Sequence, residues 1–235
     1  MVMQNDRYLS THPALAFGGG RSKKAWLNSI LAPVLPQDKK VQILEVGPGH
    51  GEALQLLSQD IGYENVTAID VSSEVVEHCK RVTGVSVELV ADPICYLASR
   101  ENQYDLILMY HVLEHIPRAN VVPTLEAINH ALKAGGVLIV GVPNAASPII
   151  GIEQHLYDFT HQVAFSPWSL EQVHRLAGFQ RCRVAPVWPP SHGIVRVAQR
   201  VIQRCILSVM RLYLRVFTGV QRPILTHTMV CYAWK

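Results

Sequence analysis

A chain of 235 residues with 49% hydrophobic side chains can bury one large core, which excludes a disordered polymer. Charged residues make up only 17% and the mean hydropathy is +0.16, so part of the apolar surface is expected to face something other than water. The net charge of +3 conceals a division: residues 1–171 hold 11 basic and 18 acidic side chains, a body of −7, whereas residues 172–235 hold ten basic and none acidic. A tail of +10 points to a polyanion or an anionic membrane.

Five cysteines, Cys79, Cys95, Cys182, Cys205 and Cys231, contain no C-x-x-C pair, so neither a zinc site nor a disulfide framework is expected. A reducing, cytoplasmic setting follows. The polar stretch from Met1 to Ser10 does not fit a signal peptide, and export is not expected.

In chain order, Arg21 to Leu35 reads as a lead-in helix after the flexible Gly18-Gly19-Gly20. Short apolar strands follow at Val41 to Val46, Val66 to Asp70, Ser86 to Ala91, Tyr104 to Tyr110 and Val137 to Val142. Helical patterns alternate with them at Glu52 to Gln59, Ser73 to Val82, Ile94 to Arg100 and Val121 to Leu132, the last closed by Lys133-Ala134-Gly135-Gly136 as a cationic turn and glycine cap. After Pro143 the pattern predicts a loop through Ser166, then a helix from Pro167 to Ala177 with Ser166 as its N-cap. Two further strands are expected at Phe179 to Val187 and Thr228 to Trp234, separated by one long helix over residues 193–218. This alternation is that of a largely parallel α/β sheet.

The chemistry concentrates where Ile43-Leu44-Glu45-Val46 runs into Gly47-Pro48-Gly49-His50-Gly51 and then Glu52. Alternate glycines let a nucleotide-like ligand approach the backbone closely. Glu45 and Glu52 would repel a diphosphate and suit an ammonium or sulfonium. Asp70, 19 residues beyond Gly51 at a strand end, is placed to accept from ribose hydroxyls, or else caps the following helix. Asp92 before Pro93 is a candidate acceptor for an adenine amino group, with Val71 and Ile94 as apolar walls, or a plain loop residue.

Taken in order, Leu44-Glu45-Val46-Gly47-Pro48-Gly49-His50-Gly51, Ala68-Ile69-Asp70-Val71-Ser72, Tyr104-Asp105-Leu106-Ile107, His111-Val112-Leu113-Glu114-His115-Ile116 and Leu132-Lys133-Ala134-Gly135-Gly136 resemble the class I S-adenosylmethionine-dependent methyltransferases. His161-Gln162-Val163-Ala164-Phe165-Ser166 with Leu170 and Ala177-Gly178-Phe179 looks like the small-molecule and glycan-modifying branch. The resemblance implies a Rossmann-like seven-stranded, mostly parallel sheet with helices on both faces and an antiparallel last strand. It implies S-adenosylmethionine held by Glu45, Gly47, Pro48, Gly49 and Gly51 at the methionine end, by Asp70 and Val71 at the ribose, by Asp92 and Ile94 at the adenine, and by Tyr110 and His111 beside the sulfonium. Residues 1–40 would form a lid and lead-in helix, and residues 41–235 one domain with a helical insertion at about 190–222.

Methyl transfer to a hydroxyl needs placement and a base. His161, after the fifth strand, is the first candidate and His111 the second, while a structural hydrogen bond fixing the loop is an equal reading for His161. His115 reads as structural. His155, Asp158 and His161 would share a face only on a helix, and the surrounding aromatics and Thr160 suggest a loop, so no metal is expected.

Arg196, Arg200, Arg204, Arg211 and Arg215 fall at spacings of 4, 4, 7 and 4, one stripe of a helix whose other side is apolar. Such a helix suits the plane of an anionic bilayer, at the inner face of a membrane, or packs on its own domain with the arginines in water. Nucleic acid is disfavoured, because no aromatic platform interleaves with the arginines. The expected acceptor is a small molecule, sugar or lipid-linked glycan intermediate. Competing readings are an NAD(P)-dependent oxidoreductase, against which the glycines at 47, 49 and 51 lack the G-x-G-x-x-G spacing, and a non-catalytic membrane-associated protein with the same fold.

Overall fold

The computed structural model describes residues 8–11, 20–148, 150–188, 194–219 and 224–235. Residues 18 and 19 of the glycine run, most of the N-terminal lid, residue 193 and both flanks of the insertion lie outside them.

Seven strands form one sheet: β1 (Gln42–Val46), β2 (Asn65–Asp70), β3 (Val85–Leu89), β4 (Tyr104–Tyr110), β5 (Leu132–Pro143), β6 (Arg181–Pro186) and β7 (Thr228–Trp234). Their order is β3-β2-β1-β4-β5-β7-β6, with β1 to β5 parallel and β7 antiparallel to both β5 and β6. The expected sheet is present, down to the reversed last strand.

The central strands are apolar throughout because both faces are covered. Alternation along each strand divides them between two cores: Leu44, Ile107, Met109, Leu138 and Val140 face one side, and Ile43, Leu106, Leu108, Val137 and Ile139 the other. Helices α5 (Pro93–Ala98), α6 (Arg118–Ala131) and α8 (Pro167–Leu176) cover the first core. Helices α2 (Gly20–Leu31), α3 (Glu52–Gln55) and α4 (Ser73–Cys79) cover the second, where the Tyr232 hydroxyl donates to the Ile30 carbonyl at 2.7 Å. A four-residue helix α1 (Tyr8–Thr11) lies against α4, its Leu9 N–H donating to Glu74 at 2.9 Å. Ser166 caps α8 in a reciprocal box with Ser169, as its position before Pro167 foretold.

Several local expectations are corrected. The lead-in helix stops at Leu31 because Pro33 biases the residue before it away from helical backbone. The segment after Glu52 changes to a π-helical turn at Leu56–Asp60. Lys133 to Gly136 is not a helix cap: α6 ends at Ala131 and the chain enters β5 through a register shift, with Lys133 paired to Asp105 at 2.6 Å. The loop expected after Pro143 contains a helix, α7 (Gly151–Tyr157), whose Ile152 and Leu156 point to solvent and so form no core-facing stripe.

The arginine helix is α9 (Ile194–Thr218). It does not pack its apolar side on its own domain. Val201, Ile202, Ile206, Val209, Leu212, Tyr213, Val216 and Phe217 are 51–72% exposed, and among the described side chains of α9 only Leu207 is buried. Among the described residues no helix is long and apolar enough to cross a membrane.

His174 of α8 is fully buried, donates Nδ1–H to the Leu170 carbonyl at 2.7 Å, and is pushed down to about 4 by desolvation. It folds neutral, whereas the unfolded chain takes up the proton below about pH 6.5. Its contribution is therefore complete above about pH 6.5 and declines as pH falls toward 4. In urea titrations between pH 6.5 and 5, the parent should lose about 2 kcal/mol more than His174→Leu; equal losses would refute the assignment.

Candidate active site

The functional residues gather at the carboxyl edge of the parallel strands, where open α/β sheets bind ligands. The turn after β1 holds Gly47, Gly49 and Gly51 at positive φ, and the Gly51 N–H returns to the Pro48 carbonyl at 2.8 Å. Gly47 is required by packing as well, because a Cβ there would lie 2.4 Å from Val112 Cγ2. Gly49 is open, with nothing within 4 Å of an added Cβ.

Three carboxylates converge beside this turn. Glu45 is 3% exposed, and burial of the Cys79 thiol, with the charges of Glu45, Asp70 and Glu52 added to it, raises that thiol to about 12. Asp70 accepts the Ser72 N–H at 2.8 Å, while burial raises its own carboxyl to about 6. It does not cap α4, whose N-cap is Ser72. Asp92 caps α5 instead: its Oδ1 takes the N–H groups of Ile94 and Cys95, which hold its carboxyl below the usual range. Val71 and Ile94 are half-buried.

The end of β4 carries the second group. Tyr110 is wedged against Gly141, where a Cβ would sit 2.1 Å from its ring, and meets Trp26 edge-on at 4.9 Å. His111 follows with φ +55, a strained conformation for a side-chain-bearing residue. Its Nδ1 lies 2.8 Å from Oε1 of Glu114, which is 1% exposed. Hydrogen bonding to His111 keeps Glu114 below its ordinary value despite burial, so the carboxylate is ionised and His111 donates.

The loop after α7 folds over this turn. Gln162 and Val163 donate backbone N–H to the Glu114 carbonyl at 2.7 and 3.1 Å. His161 donates Nδ1–H to the His155 carbonyl at 2.9 Å, its ring 4.7 Å from that of His115 and 5.4 Å from that of His155. Tyr8 of α1 stands over the same space, and burial with the charges of Asp158, Glu114 and Asp70 raises its hydroxyl to about 12. The structure thus brings together Glu45, the glycine turn, Asp70, Tyr110, His111 and His161. Asp92 is occupied in capping. Glu114 and His115 were missed as functional candidates, although the His-x-x-Glu-His spacing of residues 111–115 was visible.

Residues 43–136 match a methyltransferase domain family model. The chain is 33% identical over 103 residues to a malonyl-[acyl-carrier protein] O-methyltransferase of Priestia megaterium, a match covering 43% of this chain and only 36% of that protein. Among solved structures it is similar to an S-adenosylmethionine-dependent methyltransferase from Archaeoglobus fulgidus, with 19% identity, 97% of this chain and 99% of that one covered, and a TM-score of 0.70. It is also similar to phosphoethanolamine N-methyltransferase 2 of Haemonchus contortus in complex with phosphomonomethylethanolamine and S-adenosylhomocysteine, with 16% identity, 98% and 58% covered, and a TM-score of 0.66. Residues 43–136 are thus similar to a methyltransferase domain, and the chain has the Rossmann-like fold of these solved S-adenosylmethionine-dependent methyltransferases.

Gly47→Ala should lower stability by about 1–3 kcal/mol, through overpacking against Val112 and the positive φ. Gly49→Ala should cost less, and Val112→Ala should restore part of the loss in the Gly47 variant. Thermal unfolding of the four proteins tests this, and equal melting of both glycine variants would contradict it.

Proposed function

We propose that the chain is an S-adenosylmethionine-dependent methyltransferase acting on an oxygen acceptor, and that its cofactor lies along Glu45, the turn Gly47-Pro48-Gly49-Gly51, Asp70 with Val71, and Tyr110 with His111. The observation that carries this reading is the convergence of three carboxylates on an open glycine turn. A pyrophosphate would be repelled there and a cationic ligand attracted, which favours an adenosyl sulfonium over a nicotinamide dinucleotide. Asp92 and Ile94 remain the adenine end of the proposed pocket.

S-adenosylmethionine, when bound, supplies a methyl group already activated by the sulfonium. The chain's task is to place the acceptor in line, exclude water and take one proton. Of the two histidines, His111 is the better placed base. Its Nδ1–H is held by the buried Glu114 carboxylate, so its Nε2 carries the lone pair that receives the hydroxyl proton as the oxygen–methyl bond forms. Tyr8 and the N-terminal segment would close the site.

The acceptor class is read from the surface around the site. Ile152, Leu156 and Phe159 are 61%, 72% and 96% exposed beside His155 and His161. Helix α9 returns to the sheet at the same carboxyl edge, because β7 begins at Thr228 opposite Pro143. Its exposed apolar face, with Arg200, Arg204, Arg211 and Arg215 on the opposite stripe adding positive charge, suits an anionic lipid surface. The proposed acceptor is therefore a small molecule, sugar or glycan intermediate carried on a lipid, met by a protein lying on the inner face of a membrane.

Calorimetry of the purified chain should show micromolar binding of S-adenosylmethionine and S-adenosylhomocysteine and none of NADH. Asp70→Asn should weaken the adenosyl ligands by about 1–3 kcal/mol. In the parent, affinity should fall as pH drops through about 6, when the raised Asp70 carboxyl takes up its proton, and the variant should not show that fall. NADH binding alone would overturn the assignment.

Flotation with phosphatidylglycerol vesicles at low salt should carry the parent upward, and Arg200→Glu with Arg204→Glu should abolish this. Methyl transfer from labelled cofactor into extracted membrane lipid should then fall about a hundredfold in His111→Asn, which tolerates the left-handed backbone. Absence of flotation, or label transfer undiminished in that variant, would sink the corresponding half of the proposal.

A further inference from the structure

Glu114, His115 and His161 each bring one ligating atom within 4.8 Å of the others. They come from two segments, the turn after β4 and the loop after α7, that are joined by the hydrogen bonds from Gln162 and Val163 to the Glu114 carbonyl. Each member is arranged as a metal ligand would be. Glu114 is 1% exposed, and while Oε1 is held by His111, the buried Oε2 has no hydrogen-bond partner. An ionised oxygen kept from water with no donor is expensive, and such a group calls for a compensating charge.

The two imidazoles are set by their second nitrogens. Thr160 gives its single hydroxyl hydrogen to Asp158 Oδ1 at 2.7 Å, so at 2.8 Å it can only accept from His115 Nδ1. The His155 carbonyl likewise can only accept from His161 Nδ1. Both rings therefore carry their proton on Nδ1 and present Nε2 with its lone pair. Histidines bound to metal show this same pattern, the far N–H held by a carbonyl or carboxylate-linked acceptor.

We propose that Glu114, His115 and His161 bind one divalent first-row transition metal ion, with open coordination positions facing the acceptor side of the pocket. Two imidazoles and one carboxylate suit zinc, manganese or iron(II) and not the all-oxygen shells of magnesium or calcium. The ion would neutralise Glu114 Oε2 and hold an oxygen of the acceptor beside His111, which narrows the acceptor to one with a hydroxyl able to coordinate. That use of the ion rests on the methyltransferase reading, whereas the binding of the ion does not. The expectation of no metal rested on His155, Asp158 and His161 as the ligand set. Here Asp158 and the His155 carbonyl stand one step back, supporting the rings that ligate.

The probe is Co2+, titrated into the full chain after dialysis against a chelator and followed by visible d–d absorption. One equivalent should bind and be displaced by one equivalent of Zn2+. Binding should weaken at least about tenfold in His161→Gln and in Glu114→Gln, with folding checked by circular dichroism. His161 is half-exposed and its variant is expected to fold even if the buried Glu114 substitution does not. His50→Gln, which disturbs the separate His50–His78 ring pair, should leave the titration unchanged. No absorption in the parent, or absorption undiminished in His161→Gln, overturns the site. S-adenosylhomocysteine binding, measured on the chelated protein, separates the two ideas: its retention without Co2+ binding defeats only the metal site, and Co2+ binding without it defeats only the methyltransferase reading.

Discussion

The arrangement at the carboxyl edge depends on one buried carboxylate. Glu114 is removed from water by the loop that crosses it, and an ionised oxygen in that position must be compensated by donors or cations. His111 meets the demand on one side, and the cost of its left-handed backbone is accepted because that conformation aims Nδ1 at Oε1. The Glu114 carbonyl then anchors residues 162 and 163, and with them the loop bearing His161. Remove the carboxylate and both the orientation of His111 and the reason for the histidines to face it disappear.

The region around the glycine turn follows a different logic. There Glu45, Asp70 and Glu52 stand around an open turn, Asp70 taking the Ser72 N–H, and their charges add to the burial that raises a neighbouring thiol to about 12. A negative field of that kind is a waiting place for positive charge. The backbone makes the space: Gly47 lets the turn pass under Val112, and Gly49 leaves its outer face clear. Two regions of the same sign thus lie at the carboxyl edge, one around the glycine turn and the other at Glu114.

What was legible in the sequence is what two-sided burial dictates. Parallel strands covered on both faces become unbroken apolar runs, so their positions could be read from residue type, whereas the reversal of the last strand was implied only by the family resemblance. Glycines at positive φ are equally plain, since no other residue adopts that backbone cheaply. The misreadings share a cause. Lys133-Ala134-Gly135-Gly136 has the composition of a helix end, but whether glycine closes a helix or eases a strand through a register shift depends on Asp105, 28 residues earlier. Helix α7 has no buried stripe and so lacks the period that announces a helix. Nothing local marks Glu114 as buried, because the segment that bonds to its carbonyl, residues 162 and 163, lies far along the chain.

Helix α9 shows the limit of a periodic pattern. The spacing of its arginines was evident, yet a helix with one charged and one apolar side does not announce which of them meets the body. In the structure the buried side chain is Leu207, four residues before Arg211 and so within the arginine stripe, while the broad apolar face looks outward. Exposed apolar side chains of this number are costly in water and ordinary at an interface. The low charge content of the whole chain and the positive tail meet in this one helix, which carries both exposed apolar side chains and a stripe of arginines. α9 precedes β7, whose first residue, Thr228, pairs with Pro143 at the carboxyl edge of the parallel strands, the edge that also carries His111 and Glu114.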